Sequence, residues 1–372
     1  MTYNTVMNRS PQRILIIKLS SLGDIVHTLP AAAALRKQFP LAHVTWLVKA
    51  SWASILEGNP DIDDIWAVEF SLKSWPHLIR KLRTSGFDVV VDFQGLFRSG
   101  LLGRLTGAKM RIGFSQAREG ATWFYTHHVF LPEQRQVKWR LLDIHAVDRN
   151  LAIASFLGAN TDSPVFHLPR LAADERFIDG LLQEAKVASH EHLIALAPWS
   201  RSTLKSWPLA RFVEVAQAVV KVPNVRVVVV GGPSDKGFAD QFCLLESQGL
   251  VNMVGKLSLR QLPVLLSRMK LIVGNDSSLI HLAAGVAVPV LAIFGPTYSH
   301  ATGPYPLEKH EVLRTDLPCS PCGKRTCENP KYLECLDSLT VTAVLETLQK
   351  RLDAFTIIRD ETGTWPGIPS HT

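Results

Sequence analysis

The chain has 372 residues, 47% of them hydrophobic and 20% charged, and a formal net charge of +7. That composition excludes a disordered chain, and the length suits two domains better than one simple core. The basic balance favours an anionic partner: nucleotide, phosphorylated sugar or membrane surface. The Lys and Arg residues are dispersed and no RNA-binding signature is present, so nucleic acid is not expected. No stretch approaches about 18 uncharged apolar residues, and the first apolar run lacks a small-residue cleavage site. A cytoplasmic chain is expected, touching a membrane only from that side.

In chain order, Ile14–Ile17 reads as a strand buried on both faces, followed by the polar turn Ser20-Ser21-Leu22-Gly23-Asp24 and a helical stretch from Ile25 to Phe39. Such a strand–loop–helix junction lies at the carboxyl edge of an open α/β sheet, where ligands bind. Asp24 then either caps the helix or performs chemistry. His43–Val48 and Asp64–Glu69 read as strands and Trp75–Thr84 as a helix. Asp88–Phe93 is a strand dense in β-branched residues, turning through Gln94–Gly100 into another helix. Met110–Phe114 is a short strand before Ala117-Arg118-Glu119-Gly120. Lys138–Leu157 reads as a long helix, Val165–Leu168 as a weak strand, and Asp174 to about Val187 as a helix. This alternation predicts a first domain over 1–187 with a parallel sheet, and a linker at 188–191.

The pattern restarts over 192–355. His192–Ala197 is a strand, and Pro198–Pro208 a polar loop leading to a helix at Leu209–Val220. Its hydroxyls, N–H groups and two cations suit a diphosphate at a helix N-terminus. Val225–Val230 is a strand ended by Gly231-Gly232-Pro233, with Asp235 just beyond. Ser258–Arg268 is helical, and Leu271–Gly274 is a strand ended by Asn275-Asp276-Ser277-Ser278. A helix over Ser278–Ala284, a strand over Pro289–Phe294 and the turn Gly295-Pro296-Thr297 follow. Helical spacing resumes from Thr340 to Phe355, and 356–372 reads as a frayed tail.

Cys243 stands alone, whereas Cys319, Cys322, Cys327 and Cys335 are clustered. In a reducing compartment such spacing suggests a structural zinc, with a disulfide or unligated thiols as the other readings. No D-x-D pair sits on a suitable loop, which suits a site that neutralises a leaving diphosphate with dipoles and Lys or Arg and needs no cofactor for catalysis.

The run K-x-S-S-L-G-D-x-x-H-T-L-P at Lys18–Pro30 resembles the opening signature of the heptosyltransferases of bacterial lipopolysaccharide synthesis, glycosyltransferase family 9. Asn275–Gly285 resembles that family's D-[ST]-[GS]-x-x-H-x-A-A segment, and Lys205 lies in a similar K-x-W-P run. The resemblance implies a GT-B fold, with two Rossmann-like domains facing across a cleft. It implies Asp24 as the catalytic base, and Lys205, Asp276, Ser277, Ser278, His281 and Thr297 as contacts to ADP-heptose; Ser200, on the same polar loop as Lys205, joins them, and Asp235, just after Gly231-Gly232-Pro233, reads equally as a ribose contact or as solvated surface. The acceptor it implies is an acidic sugar on a phosphorylated lipid, of the Kdo-lipid A type, at the inner-membrane surface; Gln94, Arg98 and Arg118 are its candidate ligands. The runs A-R-E-G at 117–120 and H-A-V-D-R at 145–149 look most like the first-heptose branch. A Rossmann oxidoreductase would need G-x-G-x-x-G where S-S-L-G-D stands. A non-catalytic zinc or nucleotide-binding module would have no use for Asp24, Lys205 and Asp276 together.

Overall fold

The structure, a computed structural model, describes residues 10–71, 73–131 and 144–353. Two units divide the chain, Met1–Pro169 and Arg170–Thr372. In the first, β1 (Arg13–Ile17) leads through α1 (Leu22–Val26) and α2 (Leu29–Gln38) to β2 (His43–Lys49) and β3 (Asp64–Val68). Then come α3 (Trp75–Thr84), β4 (Val89–Asp92), α4 (Phe97–Leu105), β5 (Met110–Phe114), β6 (His127–Val129) and α5 (Ala146–Phe156). The sheet order is β3-β2-β1-β4-β5-β6, and every pairing is parallel. Ile14–Ile17 and Val89–Val91 are apolar at every position because they lie inside this sheet, buried on both faces. α3 is amphipathic instead: Leu78 and Leu82, one turn apart, are buried, and its proline sits in the first turn, where no N–H is missed.

The second unit runs α6 (Ala172–Glu184), β7 (His192–Ala197), α7 (Leu209–Val219), β8 (Val225–Val229), α8 (Lys236–Ala239), α9 (Cys243–Glu246), β9 (Val251–Asn252) and α10 (Leu262–Ser267). It continues with β10 (Leu271–Asn275), α11 (Ser278–Gly285), β11 (Val290–Ile293), α12 (Ser299–Thr302), β12 (Glu311–Leu313), α13 (Glu334–Asp337) and α14 (Val341–Asp353). Its order, β12-β11-β10-β7-β8-β9, is again all parallel. Counted from each unit's own first strand, the two sheets have the same order, and in both it reverses between the first strand and the fourth. That reversal opens a crevice at the carboxyl ends of β1 and β4 in one unit and of β7 and β10 in the other. The second core gathers Trp207, Phe212, Val344, Leu345 and Leu348, so α14 closes its own sheet.

Several elements differ from the sequence reading. The units divide between Pro169 and Arg170, so α6 joins the second unit, not the first. It is tied there by an Arg260–Asp174 ion pair at 2.7 Å and an Arg268–Asp179 pair at 3.0 Å. Val165–Leu168 is no strand; Asn59 Nδ2 donates to His167 O at 2.6 Å, and the His167 ring meets Asp61 Oδ2 at 2.7 Å. The helix expected from Lys138 begins at Ala146 among the described residues, capped by His145 Nδ1, which accepts Val147 N at 3.1 Å; 138–143 lie outside them, as do 354 and 355 of the last helix and the tail 356–372. The edge strands β6, β9 and β12, two or three residues each, are too short to announce themselves by pattern.

Gly113 in β5 leaves room for Tyr125: a Cβ there would overlap the Tyr125 ring. Gly113→Ala must push that ring out of its buried seat. The variant is expected to lose about 1–3 kcal/mol of stability by overpacking, read as a lower urea midpoint for the first unit.

Candidate functional site

In the first unit the chain leaves β1 through Lys18–Ser21 and re-enters helix at Leu22. Lys18 is 7% exposed; its Nζ donates to Phe93 O at 3.0 Å and its carbonyl accepts Trp46 Nε1 at 3.1 Å. Gln94 Oε1 accepts two successive N–H groups of the same loop, Leu19 at 3.0 Å and Ser20 at 3.1 Å. Ser21 is the N-cap of α1, and Asp24 closes a capping box on it. Asp24 Oδ2 accepts Ser21 N at 2.9 Å and Ser21 Oγ at 2.7 Å. Asp24 thus caps the helix, one of its two sequence readings, and stands half-buried at the carboxyl edge of β1.

Positive charge gathers around it. Burial pushes the Lys18 ammonium down from its ordinary value, with Asp24 and Asp92 opposing the shift and Arg149 and Arg118 adding to it. Burial likewise lowers the Arg149 guanidinium, again against Asp24 and with Arg118. Asp24 is therefore within electrostatic reach of Lys18 and Arg149, and Arg118 is within reach of both cations. On the β4 side, buried Asp92 organises the turn. Its Oδ1 accepts Gln94 N at 2.9 Å and Gly95 N at 3.1 Å, and its Oδ2 accepts Tyr125 OH at 2.7 Å. Burial raises the Asp92 carboxyl while these donors oppose it; burial and then the Asp92 charge raise the Tyr125 hydroxyl. Gly95 sits at φ +66, the left-handed region that favours glycine. Its carbonyl accepts Arg118 N at 2.9 Å, which brings the 117–120 run to this turn. Arg98 is exposed, its guanidinium 4.6 Å from the centre of the Phe70 ring.

The corresponding crevice of the second unit holds Asp276, 5% exposed. Its Oδ2 accepts Lys205 Nζ at 2.6 Å and Thr297 Oγ1 at 2.7 Å, and its carbonyl accepts Ser200 Oγ at 3.1 Å. His281 Nε2 lies 4.0 Å from its Oδ1. Three loops, after β7, β10 and β11, therefore converge on one buried carboxylate. Ser277 is the N-cap of α11, and its Oγ is buried without a hydrogen-bond partner among the described residues; half-buried Ser278 opens the helix. This helix N-terminus carries N–H donors and the positive end of the helix dipole. Asp235 lies after β8 with its Oδ2 accepting Gly232 N at 2.7 Å, so one of its oxygens caps the loop.

The sequence-derived residues Ser200, Lys205, Asp276, Ser277, Ser278, His281 and Thr297 thus come together in one crevice, with Asp235 on the neighbouring loop after β8. In the first unit Gln94 meets the Asp24 loop, Arg118 meets the Gly95 turn, and Arg98 sits on α4. Sequence reasoning missed Asp92, Tyr125, Arg149 and Asn275 as individual residues. Asn275 is fully buried; its Oδ1 accepts Trp207 N at 3.0 Å and its Nδ2 donates to Pro198 O at 2.6 Å, pinning both ends of the Lys205 loop. Its signal in the sequence was its place at the end of an apolar strand, opening the Asn275–Gly285 run.

Of Cys319, Cys322, Cys327 and Cys335, the candidate zinc ligands, the first three lie between β12 and α13 and the fourth on α13. Among the described residues no three His, Cys, Asp or Glu side chains are grouped to hold a metal ion. All four are free thiols. Cys319 Sγ accepts from Asn329 Nδ2 at 3.4 Å and Cys327 Sγ from Leu333 N at 3.3 Å. Burial, then the neighbouring thiols, pushes Cys335 up. The segment walls a cavity of about 620 Å³ with Leu204 and Tyr298.

Two parallel sheets of this order in one chain make up the GT-B fold of glycosyltransferases. Residues 75–333 match the profile of glycosyltransferase family 9 (heptosyltransferase), and the chain belongs to that family: it is an enzyme, a glycosyltransferase. Lipopolysaccharide heptosyltransferase 1 of Pseudomonas aeruginosa is 29% identical over 331 residues, 85% of this chain and 87% of that protein. Lipopolysaccharide heptosyltransferase 3 of Escherichia coli K12 is 25% identical over 342 residues, 88% of this chain and 95% of that one. The solved structure of E. coli ADP-heptose lps heptosyltransferase II, 21% identical, superimposes with a TM-score of 0.74 over 92% of this chain and 99% of its own, so the fold is shared.

Asn275→Ala removes the partners of two backbone groups, at a cost of about 1–3 kcal/mol for each group left buried and unpaired. The variant is expected to unfold at lower urea in the second unit and to bind nucleotide more weakly by calorimetry, because the Lys205 loop loses both anchors.

Proposed function

We propose that this enzyme moves heptose, with inversion, from ADP-heptose to an acidic inner-core sugar, Kdo, of a lipopolysaccharide precursor. The observation that carries the reading is Asp24: a half-buried carboxylate at the strand-order reversal, held by Ser21 within reach of Lys18 and Arg149, in a chain of family 9. Its carboxylate takes the proton of the acceptor hydroxyl. The hydroxyl oxygen attacks the anomeric carbon from the face opposite the leaving group, and the bond from that carbon to the diphosphate oxygen breaks with its electron pair leaving on ADP. Lys205, the N–H groups opening α11, Ser277, Ser278 and Thr297 stabilise the diphosphate charge, so the step needs no divalent cation. Asp276 orients sugar hydroxyls and Asp235 the ribose. Arg118 and Arg98 take the acceptor's carboxylate and phosphate, for which a guanidinium is geometrically suited.

Such an acceptor lies in a bilayer, so the enzyme works as a peripheral protein at the inner face of the inner membrane. Two facts agree with this reading: the net charge is +7, and among the described residues no helix is long and apolar enough to cross a membrane. The relatives' names include types 1 and 3, and the solved neighbour is type II; the acceptor is what separates the types. Purified enzyme is to be incubated with ADP-heptose and lipid acceptors ending either in Kdo or in a first heptose, and the products weighed by mass spectrometry. One added heptose on the Kdo acceptor supports the proposal. Extension of the heptose-ended acceptor alone moves the reading to a later transfer, and no product from either overturns it.

Asp24→Ala should lower turnover by about 10²–10⁴-fold and leave ADP affinity near wild type. Near-normal turnover removes Asp24 as the base. In steady-state kinetics Arg98→Ala and Arg118→Ala are expected to raise the acceptor KM alone, and Lys205→Ala the donor KM alone; a defect of the arginine variants confined to the donor reverses the assignment of the two substrates.

A further inference from the structure

Gln94 is a candidate acceptor ligand by sequence, but its acceptor oxygen is already committed. Gln94 Oε1 takes the N–H groups of Leu19 and Ser20, at 3.0 and 3.1 Å, and these are the two residues that immediately precede the Ser21 cap of Asp24. A single carbonyl oxygen has two lone pairs, so these two donors saturate it. The glutamine is itself held. Asp92 Oδ1 accepts Gln94 N at 2.9 Å, and Asp92 Oδ2 is fixed by Tyr125 OH at 2.7 Å. On its other flank Phe93 N donates to Ile17 O at 3.1 Å and Phe93 O accepts Lys18 Nζ at 3.0 Å. A chain of hydrogen bonds thus runs from Tyr125 through Asp92 and Gln94 to Leu19 and Ser20, and the backbone continues from there to Ser21, which donates to the Asp24 carboxylate. Without Gln94 the Leu19 and Ser20 N–H groups lose their acceptor in a part-buried loop, and the loop must turn to find water.

We infer that Gln94 is a positioning residue for Asp24: its side-chain oxygen, anchored through Asp92 and Tyr125, fixes the loop that aims the base. The inference rests on the reading of Asp24 as base. Displacing a catalytic group by about 1 Å can reduce rate on the order of 10²-fold. A glutamine acting through Asp24 must therefore affect kcat and not KM, and it must lose its effect once Asp24 is gone.

Four variants of the full-length enzyme test this under steady state with ADP-heptose and the acceptor that supports turnover: Gln94→Leu, Gln94→Asn, Gln94→Glu and Gln94→Leu in the Asp24→Ala background. Gln94→Leu, which keeps the bulk and removes the acceptor oxygen, is expected to lower kcat about 10- to 100-fold with both KM values within about twofold of wild type. Gln94→Asn keeps a carboxamide but is one methylene too short; it should remain folded at the assay temperature and show the same defect in kcat. Should the leucine variant fail to fold, the asparagine variant decides. Gln94→Glu retains an oxygen for both N–H groups and should recover part of the kcat lost in Gln94→Leu. On Asp24→Ala, adding Gln94→Leu should change the residual turnover by less than about threefold. A wild-type kcat in Gln94→Asn overturns the inference. So does a raised acceptor KM with kcat unchanged, which returns Gln94 to acceptor binding, and so does an undiminished effect in the Asp24→Ala background. If Asp24→Ala alone keeps near-normal turnover, the base reading falls and takes this inference with it. If Asp24→Ala is impaired and Gln94→Asn is normal, the inference fails by itself and the base stands.

Discussion

The structure depends on how a parallel sheet ends. Strand order reverses once in each sheet, between its first and fourth strands, and the segments leaving those two strands part to opposite faces. The backbone there has left the ladder but has not yet become helix, so its N–H and C=O groups need other partners. Both units meet that need with a carboxamide from the fourth strand's end. Gln94 serves the loop after β1, and Asn275 serves the loop after β7. The residues assigned to chemistry ride mainly on the loops so held.

Charge is arranged differently in the two crevices. Around Asp24, Lys18 and Arg149 are buried enough for desolvation to weigh against their charged forms, so their proximity to a carboxylate offsets part of that penalty. Asp276 is the buried partner in the other unit, and Lys205 with Thr297 satisfies it. Each crevice is therefore a small ionic lattice and not an apolar hole. The desolvation is already borne by the fold, which is what preorganisation means in electrostatic terms.

How much of this was legible in sequence depended on the range of the interaction. His192–Ala197 and Trp75–Thr84 are bounded as read, because a continuous apolar run and a stripe of leucines with a proline start are local signals. The Asp24 loop was legible because its serine, glycine and aspartate lie within five positions. The work of Gln94 was not: its partners are 75 and 74 positions away, and Asn275 meets Trp207 across 68. The unit boundary escaped for a similar reason, since Asp174 shows only in space that it belongs with Arg260. The four clustered cysteines were legible as a group because they lie close in sequence, whereas the donors that reach two of their sulfurs, Asn329 Nδ2 and Leu333 N, were not.

The two staples share a property beyond their geometry. Glutamine and asparagine carry no ionisable proton in water, so the hydrogen bonds of Gln94 and Asn275 persist unchanged across any pH at which the fold survives. A carboxylate in either place would grip the same N–H groups more strongly and release them on acidification. With an amide there, these hydrogen bonds carry no titrating proton of their own, and any response of crevice shape to pH must come through the carboxylates beside them, Asp92 and Asp276.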